Sequence, residues 1–136
     1  HRSIYKEYRA VVLGRFGWEG TFAFNLAPSG KKGRRMKLVC LPNGKEAVSH
    51  YKVIAKEEER SALRIIIKTG VRHQIRAHLS FLGFPISGDR LYGESGSSAP
   101  RLCLHAHVIE FRQPTTGRSI RITDPLPDDF PTTASG

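Results

Sequence analysis

The segment Lys68 to Leu79, KTGVRHQIRAHL, gathers the residue types best suited to chemistry. A β-branched run ends at Thr69-Gly70, and Arg72, His73, Gln74 and Arg76 follow within about one helical turn. Backbone N–H groups at a helix N-terminus and two guanidinium groups together attract an anion, either a phosphate or a carboxylate held ready for catalysis. A solvated basic face is the bland reading. Four donor-rich residues crowded into one turn favour function over it.

Other chemistries find weaker support. His73 and His78 lie five apart and so do not share a helix face; His105 and His107 share a strand face but lack a third ligand at metal-binding spacing. The expectation is no metal, and hydrogen-bonding roles for these histidines. Gly93-Glu94-Ser95-Gly96 does not match a nucleophile elbow, and no glycine-rich phosphate loop of the Walker type occurs. The aspartates are Asp89, Asp124, Asp128 and Asp129. Asp89 reads as a turn cap, and the other three fall in a proline-rich segment expected to be exposed.

The elements that position these residues follow from periodicity. Strands are expected over Glu7–Leu13, Thr21–Leu26, Met36–Leu41, Ala47–Ala55, Ser61–Lys68, Leu102–Arg112 and Ser119–Ile122. The turn Pro42-Asn43-Gly44 predicts that the third and fourth of these pair as a hairpin. Ile75, Leu79 and Leu82 form one helical stripe that Gly83 and Pro85 terminate, with Arg72 and Arg76 on a different, basic stripe. Lys31, Lys32, Arg34 and Arg35 mark a basic loop that faces phosphates. Residues 94–99 read as a mobile loop and 132–136 as a frayed tail. The fold class is α+β: a mostly antiparallel sheet with one main helix, in a single domain over 136 residues.

Lys and Arg number 22 against 12 Asp and Glu, a net charge of +10, which points to a polyanionic partner such as nucleic acid. No apolar run approaches the roughly 20 residues of a membrane span, so no membrane partner is expected. Cys40 and Cys103 read as two buried, reduced thiols of a cytoplasmic protein.

Thr69-Gly70 followed by His73-Gln74-Ile75-Arg76 and His78-Leu79 resembles the most characteristic motif of the RluA family of RNA pseudouridine synthases. The resemblance extends upstream to Lys6-x-Tyr8-x-Ala10 and to Ala47-x-Ser49-x-Tyr51. Downstream it takes in Gly83-x-Pro85-x-x-Gly88-Asp89-x-x-Tyr92-Gly93, Leu104-His105-Ala106, Phe111 and Pro114-x-Thr116-Gly117. It implies the C-terminal half of a catalytic fold that converts uridine to pseudouridine in structured RNA (rRNA or tRNA), without cofactor or metal. Arg76 would pair with the nucleophilic aspartate, Tyr8 would stack on the flipped base, and Ile67 would pack against it. Arg72, His73, Gln74 and the basic loop would contact RNA.

Two departures matter. Val71-Arg72 stands where the family often has Arg followed by a small residue, and the nucleophile's HRLD-like motif is absent, since His1-Arg2 continues as Ser3-Ile4. The chain is therefore expected to be a fragment that does not turn over by itself, with a non-catalytic RNA-binding module as the alternative. A truncated sheet is also expected to self-associate through an unpaired edge.

Overall fold

The computed structural model describes residues 4–17, 19–40, 42–93, 101–127 and 130. Among the described residues eight strands and one α-helix occur in the order β1 (Ile4–Leu13), β2 (Gly20–Ala23), β3 (Asn25–Ser29), β4 (Arg35–Val39), β5 (Val48–Lys56), β6 (Arg60–Ile67), α1 (Gln74–Leu82), β7 (Leu104–Arg112) and β8 (Ser119–Thr123). A six-stranded sheet runs β2-β5-β6-β1-β7-β8, and β3 with β4 forms a separate two-stranded sheet. Every pairing is antiparallel.

Strand β6 shows why the sheet has two faces. Ser61, Leu63, Ile65 and Ile67 are buried, and Ala62, Arg64 and Ile66 alternate with them as half-buried positions. The register places Lys6 opposite Ile67, Tyr8 opposite Ile65 and Ala10 opposite Leu63, so Tyr8 and Ile67 point to the same face. On that face Tyr51, Leu63 and Ile65 pack with Ile75 and Leu79 of α1. Each such side chain contributes roughly 1.5–3 kcal/mol on burial. The stripe expected from Ile75, Leu79 and Leu82 thus meets the core, and the helix ends at Gly83 in a left-handed conformation, φ 92°.

The opposite face carries a compact ion-pair cluster. Glu7 is 4% exposed and lies 3.2 Å from Arg9 and 3.3 Å from Arg64, with the Tyr5 hydroxyl donating to it at 2.9 Å. Burial alone would raise its pKa, but Tyr5, Arg9 and Arg64 outweigh that and hold the carboxyl low.

Four expectations need correction. Strand β4 does not form a hairpin with β5; it pairs with β3, while β5 lies between β2 and β6. After the turn at 42–44 the chain returns alongside β3, where Lys45 and Leu26 exchange two backbone hydrogen bonds. The strand expected over Thr21–Leu26 divides at Phe24 into β2 and β3, and β3 runs on through Pro28 to Ser29. Cys103 is buried as expected, but Cys40 is exposed just past the end of β4. The proline-rich tail is partly tucked in: Phe130 is buried and belongs to the main core cluster. Asp128, Asp129 and the segments 94–99 and 132–136 lie outside the described residues.

Candidate functional site

The turn from β6 into α1 is built by side chains that replace missing backbone partners. Thr69 Oγ1 accepts from the Val48 N–H at 2.9 Å and donates to Gln74 Oε1 at 2.7 Å, which also accepts from the Val71 N–H. Gln74 Nε2 donates to Val48 O and Ser49 Oγ, both at 2.8 Å. Gln74 was expected to face RNA; it is instead 3% exposed with both ends of its amide spent on the scaffold. His73 begins the helix in a left-handed conformation, φ 57°, a strained geometry for a residue with a Cβ.

Arg76 projects from the first turn of α1 onto Asp89. Its Nε and Nη2 donate to the two carboxylate oxygens at 3.0 and 2.8 Å. Asp89 has no exposed side-chain surface, whereas Arg76 retains 20%. Asp89 also caps its own turn, as expected, by accepting from the Leu91 and Tyr92 N–H groups at 3.0 Å. Burial would raise the Asp89 pKa, but Arg76 and the two N–H groups hold the carboxyl below its ordinary range. In turn the Asp89 contact raises the Arg76 pKa further. Arg76 was expected to await an aspartate from elsewhere; it already has this one. Nη1 makes no hydrogen bond among the described residues, so the fork can hold Asp89 and still offer an edge to a second anion.

Gly88 makes that turn possible. Its φ is 84°, and a Cβ there would collide with the Arg101 carbonyl.

The basic loop is a hairpin docked onto this site. Lys31, Lys32, Arg34 and Arg35 surround the turn between β3 and β4, with Lys31–Gly33 in a 3-10 turn and Lys32 at φ 58°. Arg72 is exposed, and its Nη2 donates to the Gly33 carbonyl and approaches Met36 Sδ at 3.5 Å. Arg35 Nη1 donates to Leu91 O at 3.1 Å, and the Tyr92 hydroxyl bridges Met36 N–H and His73 Nδ1. Burial, then the charges of Arg76 and Arg72, lower the His73 pKa.

Tyr8 and Ile67 share one sheet face but line different clefts. Tyr8 lines a cleft of about 180 Å³ with Lys6, His107 and Asp124. Ile67 lines a larger one of about 790 Å³ with Ile4, Lys68 and Phe111. His105 and His107 both meet the Asp124 backbone carbonyl, at 2.8 and 2.9 Å, a hydrogen-bonding role as expected. Among the described residues no cluster of His, Cys, Asp and Glu has the makings of a metal site. Sequence reasoning did not find Tyr92 or the Asp89–Arg76 pair; an aspartate three residues before a tyrosine, just after the helix stop, was the available signal.

The antiparallel sheet with one helix is consistent with the catalytic fold of solved pseudouridylate synthase domains. The human RNA pseudouridylate synthase domain containing 1 superposes with a TM-score of 0.80 at 25% identity, covering 92% of this chain and 56% of that one. Residues 1–81 match the model of the RNA pseudouridylate synthase family, and the chain belongs to that family, of the RluA type. The ribosomal large subunit pseudouridine synthase D of Pseudomonas aeruginosa is 35% identical over 144 residues, 95% of this chain and 44% of that protein. The RNA pseudouridine synthase YjbO of Bacillus subtilis is also 35% identical, covering 93% of this chain and 44% of that protein. The chain thus spans less than half the length of these relatives.

Proposed function

We propose that the chain carries the Arg76 side of an RNA pseudouridine synthase site acting on structured RNA, rRNA foremost, and that the nucleophilic aspartate comes from outside this chain. The observation that carries the reading is the Arg76 fork: a guanidinium fixed by a fully buried Asp89, with Nη1 free of hydrogen bonds among the described residues, next to a hairpin whose turn is flanked by Lys31, Lys32, Arg34 and Arg35. A carboxylate brought to Nη1 would be held ionised and oriented. The target uridine is flipped out of its stack, the C1′–N1 bond breaks, C1′–C5 forms, the C5 proton passes to solvent and N1 takes one proton up from it. Tyr8 stacks on the base and Ile67 packs against it. No cofactor enters this isomerisation.

Among the described residues neither aspartate suits the nucleophile's part. Asp89 is committed to Arg76, and Asp124 is 69% exposed with His105 at 3.7 Å. That same observation favours the second reading, a basic RNA-binding module without catalysis. Tritium released from C5-labelled uridine in RNA separates the two once the aspartate-bearing segment of a full-length relative is supplied: release supports the synthase, and binding without release supports the module. The location proposed for either is cytoplasmic. β2 and β8 are the outer strands of the sheet, so the isolated chain is expected to self-associate; sedimentation as a strict monomer contradicts this.

A further inference from the structure

We infer that Tyr92 is a positioning residue that locks the basic hairpin to Arg76, so that RNA gripped by the hairpin is presented in register with the guanidinium; this rests on the RNA reading above. Its hydroxyl accepts from the Met36 N–H at 2.7 Å and lies 2.8 Å from His73 Nδ1. The Arg76 guanidinium sits over its ring, 5.2 Å from the centroid. Its own N–H donates to Asp89, and its carbonyl accepts from Ser80 Oγ at 2.8 Å. One side chain therefore touches the hairpin strand, the helix N-terminus and the guanidinium, while its backbone is tied to the carboxylate that aims that guanidinium.

Met36 N–H occupies one lone pair of the phenol oxygen. In the neutral His73 tautomer that carries its proton on Nε2, the phenol proton goes to Nδ1. Burial and the nearby Arg72 and Arg76 favour that neutral form, with Asp89 opposing them. The contact falls on the residue whose backbone is left-handed, φ 57°. Arg72 on Gly33 and Arg35 on Leu91 brace the same junction, but each reaches only a carbonyl or a thioether across it. Tyr92 alone among these three also meets the guanidinium.

Tyr92→Phe removes the hydroxyl and leaves the ring under Arg76. Hydrogen exchange at the Met36 amide should quicken about fivefold, the factor corresponding to one net hydrogen bond, while amides of β1 and β6 keep their protection. The His73 titration midpoint should rise as Nδ1 loses its donor. Affinity for a uridine-containing stem-loop should fall about fivefold with its salt dependence unchanged, because no phosphate contact is removed. Arg72→Gln, which cuts a neighbouring clasp, should loosen the hairpin without moving the Met36 amide as far. Unchanged Met36 exchange in Tyr92→Phe overturns the inference, as does faster exchange with unaltered RNA affinity, which would leave Tyr92 a purely structural residue. Failure of the unaltered chain to bind the stem-loop at any salt concentration would remove the RNA reading itself, and is told apart because it needs no substitution.

Discussion

Asp89 holds Arg76 through two charge-assisted hydrogen bonds of 2.8 and 3.0 Å, from a carboxylate with no exposed side-chain surface. The pair lies 13 residues apart in sequence and joins the first turn of α1 to the turn that follows the helix. Removing one partner strands a buried charge. Asp89→Asn should therefore cost about 3 kcal/mol in chemical denaturation, and Arg76→Lys should lose the fork although it keeps the charge. The low Asp89 pKa also sets an acid limit. Its stabilisation is complete above the unfolded-state carboxylate value of about 4 and is lost as the pH falls through the lower folded value.

His73 and His78 both have lowered pKa values, chiefly through burial. Below the ordinary value of about 6.5 the unfolded chain takes up protons that the folded chain refuses. Stability should fall from there as the pH drops towards the folded values. His78→Gln, measured by thermal unfolding from pH 7.5 to pH 5, should flatten part of that slope.

The hairpin cations should act on RNA rather than on folding. None of Lys31, Lys32, Arg34 and Arg35 is buried, so replacing Lys31, Lys32 and Arg34 with Ala should change stability by less than about 0.5 kcal/mol. The slope of log affinity against log salt should decline by roughly one for each phosphate-contacting cation removed. An unchanged slope would take the hairpin out of the RNA interface.

Gly88→Ala puts a Cβ against the Arg101 carbonyl at a backbone angle of 84°. The expected cost is about 2 kcal/mol. Because Asp89 is the next residue, the Arg76 fork should loosen as well, which would show as a shifted Arg76 Nε resonance.

The strands and the helix were legible because their burial is periodic. Leu63, Ile65 and Ile67 alternate with half-buried neighbours, and Ile75 and Leu79 sit one turn apart on the core face. The pairing of β4 was not legible. The turn Pro42-Asn43-Gly44 signals a reversal, but its return arm at Lys45 lies against β3 and not against β4, a choice fixed by tertiary packing around Leu26 and Met36. At the site, Arg76 and the basic hairpin could be read from residue type. The fate of Gln74 and Arg72 could not, since long polar side chains serve the scaffold or a ligand equally well until their neighbours are known. Asp89 was read as a cap, which it is; its grip on Arg76 depends on how the chain turns after Gly83.

The most direct test is tritium release from RNA labelled at C5 of uridine, run with this chain at concentrations that saturate binding. The account predicts binding without release, release when the aspartate-bearing segment of a full-length relative is added, and loss of that release in Arg76→Ala. Release by the chain alone would contradict it and would put the nucleophile at Asp124, Asp128 or Asp129.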